Sequence, residues 1–111
     1  MEDGPERMSN KEFRVQLTGS NIRNHHFSLR GCMTLFPEDG VGGKNKAVSG
    51  RTFRVTFEPG PSVETDIVSD KSIFRNRASV RAFFEASAAK EGDFVVIEQV
   101  GDHAFSVRLD S

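Results

Sequence analysis

The chain has 111 residues, a formal net charge of −1 and one cysteine, Cys32. This length suits a single domain with its own core. A lone cysteine excludes an internal disulfide, so we expect a reducing compartment: the cytoplasm of a prokaryote or the nucleus of a eukaryote. No apolar run is long enough to span a bilayer, so no membrane partner is expected.

The first third of the chain predicts a leader, two strands and a polar connection between them. Residues 1–12 are polar and acidic, which predicts a flexible leader before a domain over 13–111. The alternation in "FRVQL" (13–17) is typical of a half-buried strand. The Thr, Gly, Ser and Asn of 18–26 predict a loop, and "FSLRGCMTLF" (27–36) resumes strand character.

The middle of the chain predicts a long connection followed by a strand pair. The Gly-rich stretch 37–50 predicts a mobile segment with one helical turn near its start. "RTFRVTFEP" (51–59) places Phe53, Val55 and Phe57 on one face, which predicts a strand. Residues 60–69 turn at Gly60 and Pro61 and are expected to pair back as another strand.

The last third predicts a helix and a hairpin. Apolar residues at i, i+3 and i+4 predict a short amphipathic helix over 78–89, with Asn76 or Ser79 as its cap. Residues 94–100 and 104–109 predict a β-hairpin. The whole pattern has no βαβ alternation, so we expect a mostly β fold: a seven-stranded open antiparallel pseudobarrel with one or two short helices.

Charge is segregated along the chain despite the small total. Residues 13–31 carry Arg14, Arg23 and Arg30 and no acid, and residues 71–81 carry four cations and no acid. The closing residues 85–111 are predominantly acidic. Because the local field matters more to a polyanion than the net charge, two cationic segments on a small β scaffold indicate nucleic-acid binding.

The cations of 71–81 lie where a helix begins, which opposes the helix dipole unless an anion binds there. Ser and Asn side chains interleave with them and can donate to phosphates or base edges, and residues 18–26 have the same chemistry. Lys44 and Lys46 could add nonspecific phosphate contacts. Phe74 is expected to anchor the core rather than to stack on bases. The candidate DNA-binding residues are Thr18, Ser20, Asn21, Arg23, Asn24, His25, His26, Ser69, Asp70, Lys71, Ser72, Arg75, Asn76, Arg77 and Arg81.

Other chemistries have weaker support in the sequence. Adjacent histidines on a strand point to opposite faces and cannot easily share a metal, and no CxxC or HxxxH spacing occurs, so no metal or cofactor is expected. Cys32 with His25 or His26 is a possible nucleophilic pair. Asp66 and Asp70 are possible ligands of a nuclease metal. A protein-interaction module that binds an acidic partner is the main alternative to DNA binding.

The order of elements resembles the B3-type DNA-binding pseudobarrel, found in plant B3 transcription factors and in the N-terminal domain of EcoRII-like restriction enzymes. The resemblance is carried by "FRVQLTGSNIRNHHFSLRG" (13–31), "RTFRVTFEPG" (51–60), "SDKSIFRNRASVRAFFEASAAKEGDFVVIE" (69–98) and "GDHAFSVRL" (101–109). The chain departs from the family in having no apolar helix over 37–50 and no Trp, which favours the restriction-enzyme branch.

The resemblance implies sequence-specific binding of double-stranded DNA, with two arms gripping the major groove. By position these arms are residues 18–26 and 69–77, followed on the helix by Arg81. It also implies that the chain has no catalysis of its own and serves as a target-recognition module of a restriction endonuclease, with a fused or partner nuclease domain, or as part of a transcription-factor-like protein.

Overall fold

The computed structural model describes residues 11–43 and 50–110. The predicted leader therefore lies almost wholly outside the described residues, as do Lys44 and Lys46. The elements are β1 (Glu12–Gln16), α1 (Gly19–Asn24), a 3-10 helix (Arg30–Leu35), a second one (Glu38–Gly40), β2 (Val41–Gly42), β3 (Phe53–Glu58), β4 (Ser62–Thr65), β5 (Ile67–Val68), β6 (Ile73–Phe74), α2 (Arg77–Ser87), β7 (Phe94–Gly101) and β8 (Ala104–Asp110).

The described strands form two open sheets. The larger has five strands in the order β1-β7-β8-β3-β4, and the smaller has three in the order β2-β5-β6. Two predicted hairpins are confirmed: β3 pairs antiparallel with β4, and β7 pairs antiparallel with β8. The prediction of a mostly β fold with short helices is confirmed, although the described residues form eight strands instead of seven.

The expectation of purely antiparallel pairing is wrong, since both sheets are mixed. Strand β8 lies between β7 and β3 and runs parallel to β3, with Val55 opposite Phe105. Strand β2 runs parallel to β5. Alternation along a strand indicates which side chains are buried but not which strand lies next to it. The sequence pattern therefore did not predict that β3 pairs with the distant strand β8.

Phenylalanine rings dominate the core between the sheets and α2. On β3, Phe53, Val55 and Phe57 are buried while the intervening side chains face outward. Phe74 is buried as expected, and its ring lies 5.9 Å from that of Phe27 and 6.2 Å from that of Phe57, centroid to centroid. Such edge-on ring pairs add to the free energy gained by burying apolar area.

Helix α2 confirms the predicted helix and Asn76 as its cap. The Asn76 side chain accepts a hydrogen bond from the Ser79 amide, and Val80, Phe83 and Phe84 are buried. The helix ends at Ala88, which adopts a left-handed conformation, and Gly92 turns the chain a few residues later at φ +95°. No helix of the described residues is long and apolar enough to cross a membrane.

The predicted strand over 27–36 is wrong. Phe27 and Leu29 are buried as a strand pattern requires, but the backbone then forms the 3-10 helix Arg30–Leu35, which buries Cys32. The helical turn expected after Pro37 is confirmed as Glu38–Gly40. A short apolar run does not distinguish a strand from another buried conformation, so tertiary packing decided this segment.

Candidate nucleic-acid interface

The first polar segment, residues 18–26, is a helix rather than the predicted loop. Thr18 Oγ1 accepts a hydrogen bond from the Asn21 amide at 3.1 Å, and Asn21 Oδ1 accepts one from the Thr18 amide at 2.9 Å. This reciprocal cap starts α1, since it satisfies amides that the helix leaves without partners. His25 ends the helix in a left-handed conformation, at φ 57°.

These internal contacts divide the candidates of the first segment into two groups. Thr18 and Asn21 cap α1, and Nδ2 of the Asn24 side chain donates to Ser20 Oγ at 3.0 Å. The Arg23 side chain, in contrast, is exposed and lies in the last turn of the helix. The polar side chains therefore shape the segment, and Arg23 supplies its exposed charge.

The second polar segment, residues 69–81, begins with a tight turn between β5 and β6. The Ser72 amide donates to the Val68 carbonyl at 2.7 Å, and Ser72 has φ 55° and a buried side chain. Ser69, Asp70 and Lys71 are exposed at the tip of this turn. The turn therefore exposes Lys71 to solvent, while the backbone hydrogen bond of Ser72 closes the turn.

Arg75 is part of a buried ion pair, which the sequence did not predict. Its Nε and Nη2 donate to the two carboxylate oxygens of Asp66 at 2.6 and 3.0 Å, and Nη2 also donates to the Gly43 carbonyl at 2.8 Å. The Asp66 side chain is 3% exposed and also accepts from the Gly50 amide. The hydrogen bond from Arg75 to Asp66 raises the pKa of Arg75. The guanidinium thus ties β5 to β6, and this geometry does not support a DNA contact from Arg75.

Asn76 and Arg81 complete the second segment. The Asn76 side chain caps α2, and its amide donates to Thr65 Oγ1 at 3.1 Å. Arg81 lies on the exposed face of α2 and pairs with Glu85 one turn later, at 3.1 Å. Asn76 is therefore a structural residue, while Arg81 is accessible but partly neutralised.

The two segments meet in space, although about fifty residues separate them in the chain. Arg77 Nη2 donates to the Asn24 carbonyl at 2.7 Å and so joins the start of α2 to the end of α1. Three residues beyond the first segment, the Leu29 amide donates to the Ser72 carbonyl, also at 2.7 Å. The convergence that DNA binding by both segments requires is therefore present.

His26 lies at this junction. Burial lowers its pKa, and the positive charges of Arg77 and Lys71 lower it further. Its Nδ1 atom is buried and has no hydrogen-bond partner among the described residues. The ring is therefore close enough to the cations of the second segment for their charge to disfavour its protonated form.

A pocket of about 220 Å³ opens beside the same cations. Its lining is partly apolar, with Val68, Ile73 and Phe74, and partly charged, with Asp70, Lys71, Arg75 and Arg77. The second segment therefore presents a concave surface on which cations outnumber acids.

Ion pairing distinguishes this junction from the outer face of the five-stranded sheet. On that face Arg14 pairs with Asp110, Arg54 with Glu64, and Arg108 with both Glu12 and Glu98. No described carboxylate lies within ion-pair distance of Lys71 or Arg77 at the junction, or of Arg23 on α1. The Arg23 guanidinium lies beside Gly19, as does the Glu91 carboxylate.

The alternative chemistries find little geometric support. Within residues 11–43 and 50–110, no group of three or more His, Cys, Asp or Glu side chains is arranged to hold a metal ion. Asp66, one of the two acids considered for a nuclease, is already bound by Arg75. Burial raises the pKa of the Cys32 thiol to about 11, so its thiolate is scarce at neutral pH.

Comparison with known proteins supports the fold. No family model matches the chain, and no curated protein matches it. Among solved structures it is similar to the hypothetical Arabidopsis thaliana protein At1g16640.1, with a TM-score of 0.57 and 12% identity over 92% of this chain and 91% of that one. It is also similar to the N-terminal domain of Helicobacter pylori LlaJI.R1, with a TM-score of 0.58 and 8% identity over 91% and 88% of the two chains. At such identities the likeness concerns the fold alone.

Proposed function

We propose that this chain binds double-stranded DNA through the junction of its two polar segments. The observation that carries the proposal is the hydrogen bond from Arg77 to Asn24, which places two cationic segments on one surface. Arg23, Lys71 and Arg77 have no described carboxylate partner there, so their charges are available to phosphates. The B3-type fold suggested by the structural neighbours agrees with this function.

The structure narrows the set of residues to which we assign DNA contacts. Arg23, Lys71 and Arg77 contact phosphates, and Arg81 extends the surface along α2. Ser69 and His25 belong to the same two segments, and we assign them contacts to base edges. Thr18, Asn21, Ser72, Arg75 and Asn76 act indirectly, because their side chains build the two segments.

The finer proposal follows from the resemblance to B3 domains. The two segments enter the major groove together and read a specific sequence, and the chain serves as a target-recognition module without catalysis of its own. Selection of bound sites from a random duplex library tests this proposal. Enrichment of a defined motif supports it, and recovery of unselected sequences contradicts it. Plasmid cleavage by the chain with Mg²⁺ would contradict the absence of catalysis.

A salt titration tests DNA binding itself. The wild-type chain should bind a fluorescein-labelled duplex with an affinity that falls steeply with salt, since each neutralised phosphate contributes a slope of about −0.9 in log K against log [salt]. The K71Q/R77Q variant should bind more weakly and lose roughly two units of that slope. The R14Q/R54Q variant is the matched control: it loses the same charge from the outer face of the sheet and should bind nearly as wild type.

Two outcomes would contradict the proposal. Equal weakening by both variants would mean that the junction has no special role. Failure of the wild-type chain to bind any duplex at low salt, together with binding to poly-glutamate, would indicate a module for acidic protein partners. Circular dichroism of each variant shows whether the fold is intact, which matters because Arg77 also bonds to Asn24.

A further inference from the structure

We propose that duplex binding is coupled to the uptake of one proton by His26, so that affinity rises as the pH falls. This inference rests on the proposed DNA-binding function and names a regulation of the same surface. It follows from the position of His26 between the two polar segments.

The surroundings of His26 contain cations but no paired carboxylate. Arg77 from α2 and Lys71 from the turn between β5 and β6 both act on the ring. From its own segment the charged or titratable neighbours in sequence are Arg23 and His25. Asp70 is the only carboxylate in either segment, and it forms no ion pair with the His26 ring.

The ring also has unused hydrogen-bonding capacity. Nδ1 is buried and has no partner among the described groups, although buried polar atoms usually have one. The backbone two residues earlier accepts from Arg77, so the ring is held close to that guanidinium. Burial, and then the charges of Arg77 and Lys71, disfavour an imidazolium here as long as the surface is empty.

A bound phosphate reverses this balance. A phosphate bound to Lys71 and Arg77 neutralises the positive charges that oppose protonation of the His26 ring. An acceptor oxygen near the ring also favours its protonated form. The pKa of His26 is then higher in the complex than in the free chain. Linkage requires that a group with a higher pKa in the complex takes up a proton on binding, in the pH interval between the two values.

Coupling to one proton sets the direction of the change in affinity with pH and an upper limit on its size. With one proton, the association constant rises by at most about tenfold for each unit decrease in pH. The rise begins near the pKa of the complex and ends below that of the free chain. Because histidine normally titrates between about pH 5 and 8, the effect lies within an accessible range.

The experiment measures affinity for a random-sequence duplex across about pH 5 to 8 at constant ionic strength. Wild type should show increasing affinity toward acid pH, and H26Q should lose most of that dependence. H103Q replaces a histidine outside both polar segments, near Asp39, and should keep the wild-type dependence. A pH dependence of H26Q equal to that of wild type, with binding intact, overturns the proposal and leaves DNA binding standing.

A second measurement does not require the H26Q variant to fold. An NMR titration of the His26 ring protons in wild type should give a higher pKa with duplex present than without it. In the free chain, R77Q should raise the pKa of His26, because one opposing charge is gone. Equal pKa values with and without bound duplex overturn proton coupling, and absence of duplex binding at every pH overturns the proposed function as well.

Discussion

Removal of Arg75 from its ion pair with Asp66 should be among the most destabilising single substitutions in the fold, because it leaves the buried carboxylate unpaired. In Arg75→Met the methionine keeps an unbranched stem, but the Asp66 carboxylate loses both hydrogen bonds from the guanidinium and keeps only the one from the Gly50 amide. The side chain of Asp66 is 3% exposed, so water does not replace the lost partner. Removal of one member of a buried pair typically costs about 3–5 kcal/mol.

This magnitude is readily measured by unfolding in urea or by heat. Each kcal/mol lowers the Tm of a domain of this size by roughly 4 °C, so Arg75→Met should lower it by roughly 10 °C or more.

Two further variants separate the ion pair from simple loss of a surface charge. Arg81→Met removes an equally charged side chain whose partner Glu85 is exposed, and it should change the stability by less than about 1 kcal/mol. The double variant D66N/R75M should be more stable than R75M alone, since no charge is left unpaired. If R75M lies within about 1 kcal/mol of wild type, as measured beside R81M, the assignment of Arg75 to a structural ion pair is refuted.

Three further predictions concern other residues. Thr18→Ala should destabilise the chain by about 1 kcal/mol in urea unfolding, because it removes the cap of α1, and an unchanged midpoint would contradict that cap. Cys32 should react with iodoacetamide only after denaturation, since burial raises the pKa of its thiol to about 11 and shields it; rapid labelling of the native chain would contradict its burial. The folded pKa of His26 lies below the unfolded value, so its contribution to stability is complete above about pH 6.5 and is lost as the pH falls through the folded pKa. H26Q should therefore lose less stability than wild type on acidification, and parallel curves for the two chains would contradict this.

The strands that the sequence predicted are those with strong local signals. The alternation of Phe53, Val55 and Phe57, the turn at Gly60 and the hairpin of β7 and β8 are each encoded by neighbouring residues. The helix α2 likewise has a cap and an apolar stripe within its own length. Such elements need no information about the rest of the chain.

The missed features depend on distant partners or on subtle caps. The parallel pairing of β3 with β8 and the ion pair of Arg75 with Asp66 form only when the chain has folded. Helix α1 has a signal in the sequence, Thr18 followed three residues later by Asn21, but Asn is a less usual partner in this cap than Glu or Gln. Its polar composition therefore resembled a loop.

The sequence predicted the two segments of the candidate site but not which of their residues have structural roles and which have available charges. The abundance of cations drew attention to Lys71 and Arg77, and the structure shows that both line one pocket. The sequence could not distinguish them from Arg75, which is also cationic and lies four residues after Lys71 and two before Arg77. Only the folded chain brings Asp66 and Gly43 to the Arg75 guanidinium as hydrogen-bond partners. Burial and pairing, not residue type, distinguish an available charge from a structural one.

The most direct test of the proposed interface is the NMR footprint of a duplex on the isotopically labelled chain. Amide and side-chain resonances of α1, His26, the turn at Lys71 and the start of α2 should shift together and saturate at the same duplex concentration. Resonances of Arg14, Arg54 and Arg108 on the outer face of the large sheet should stay unchanged. Shifts confined to that outer face, or to one polar segment without the other, would contradict a shared DNA-binding surface.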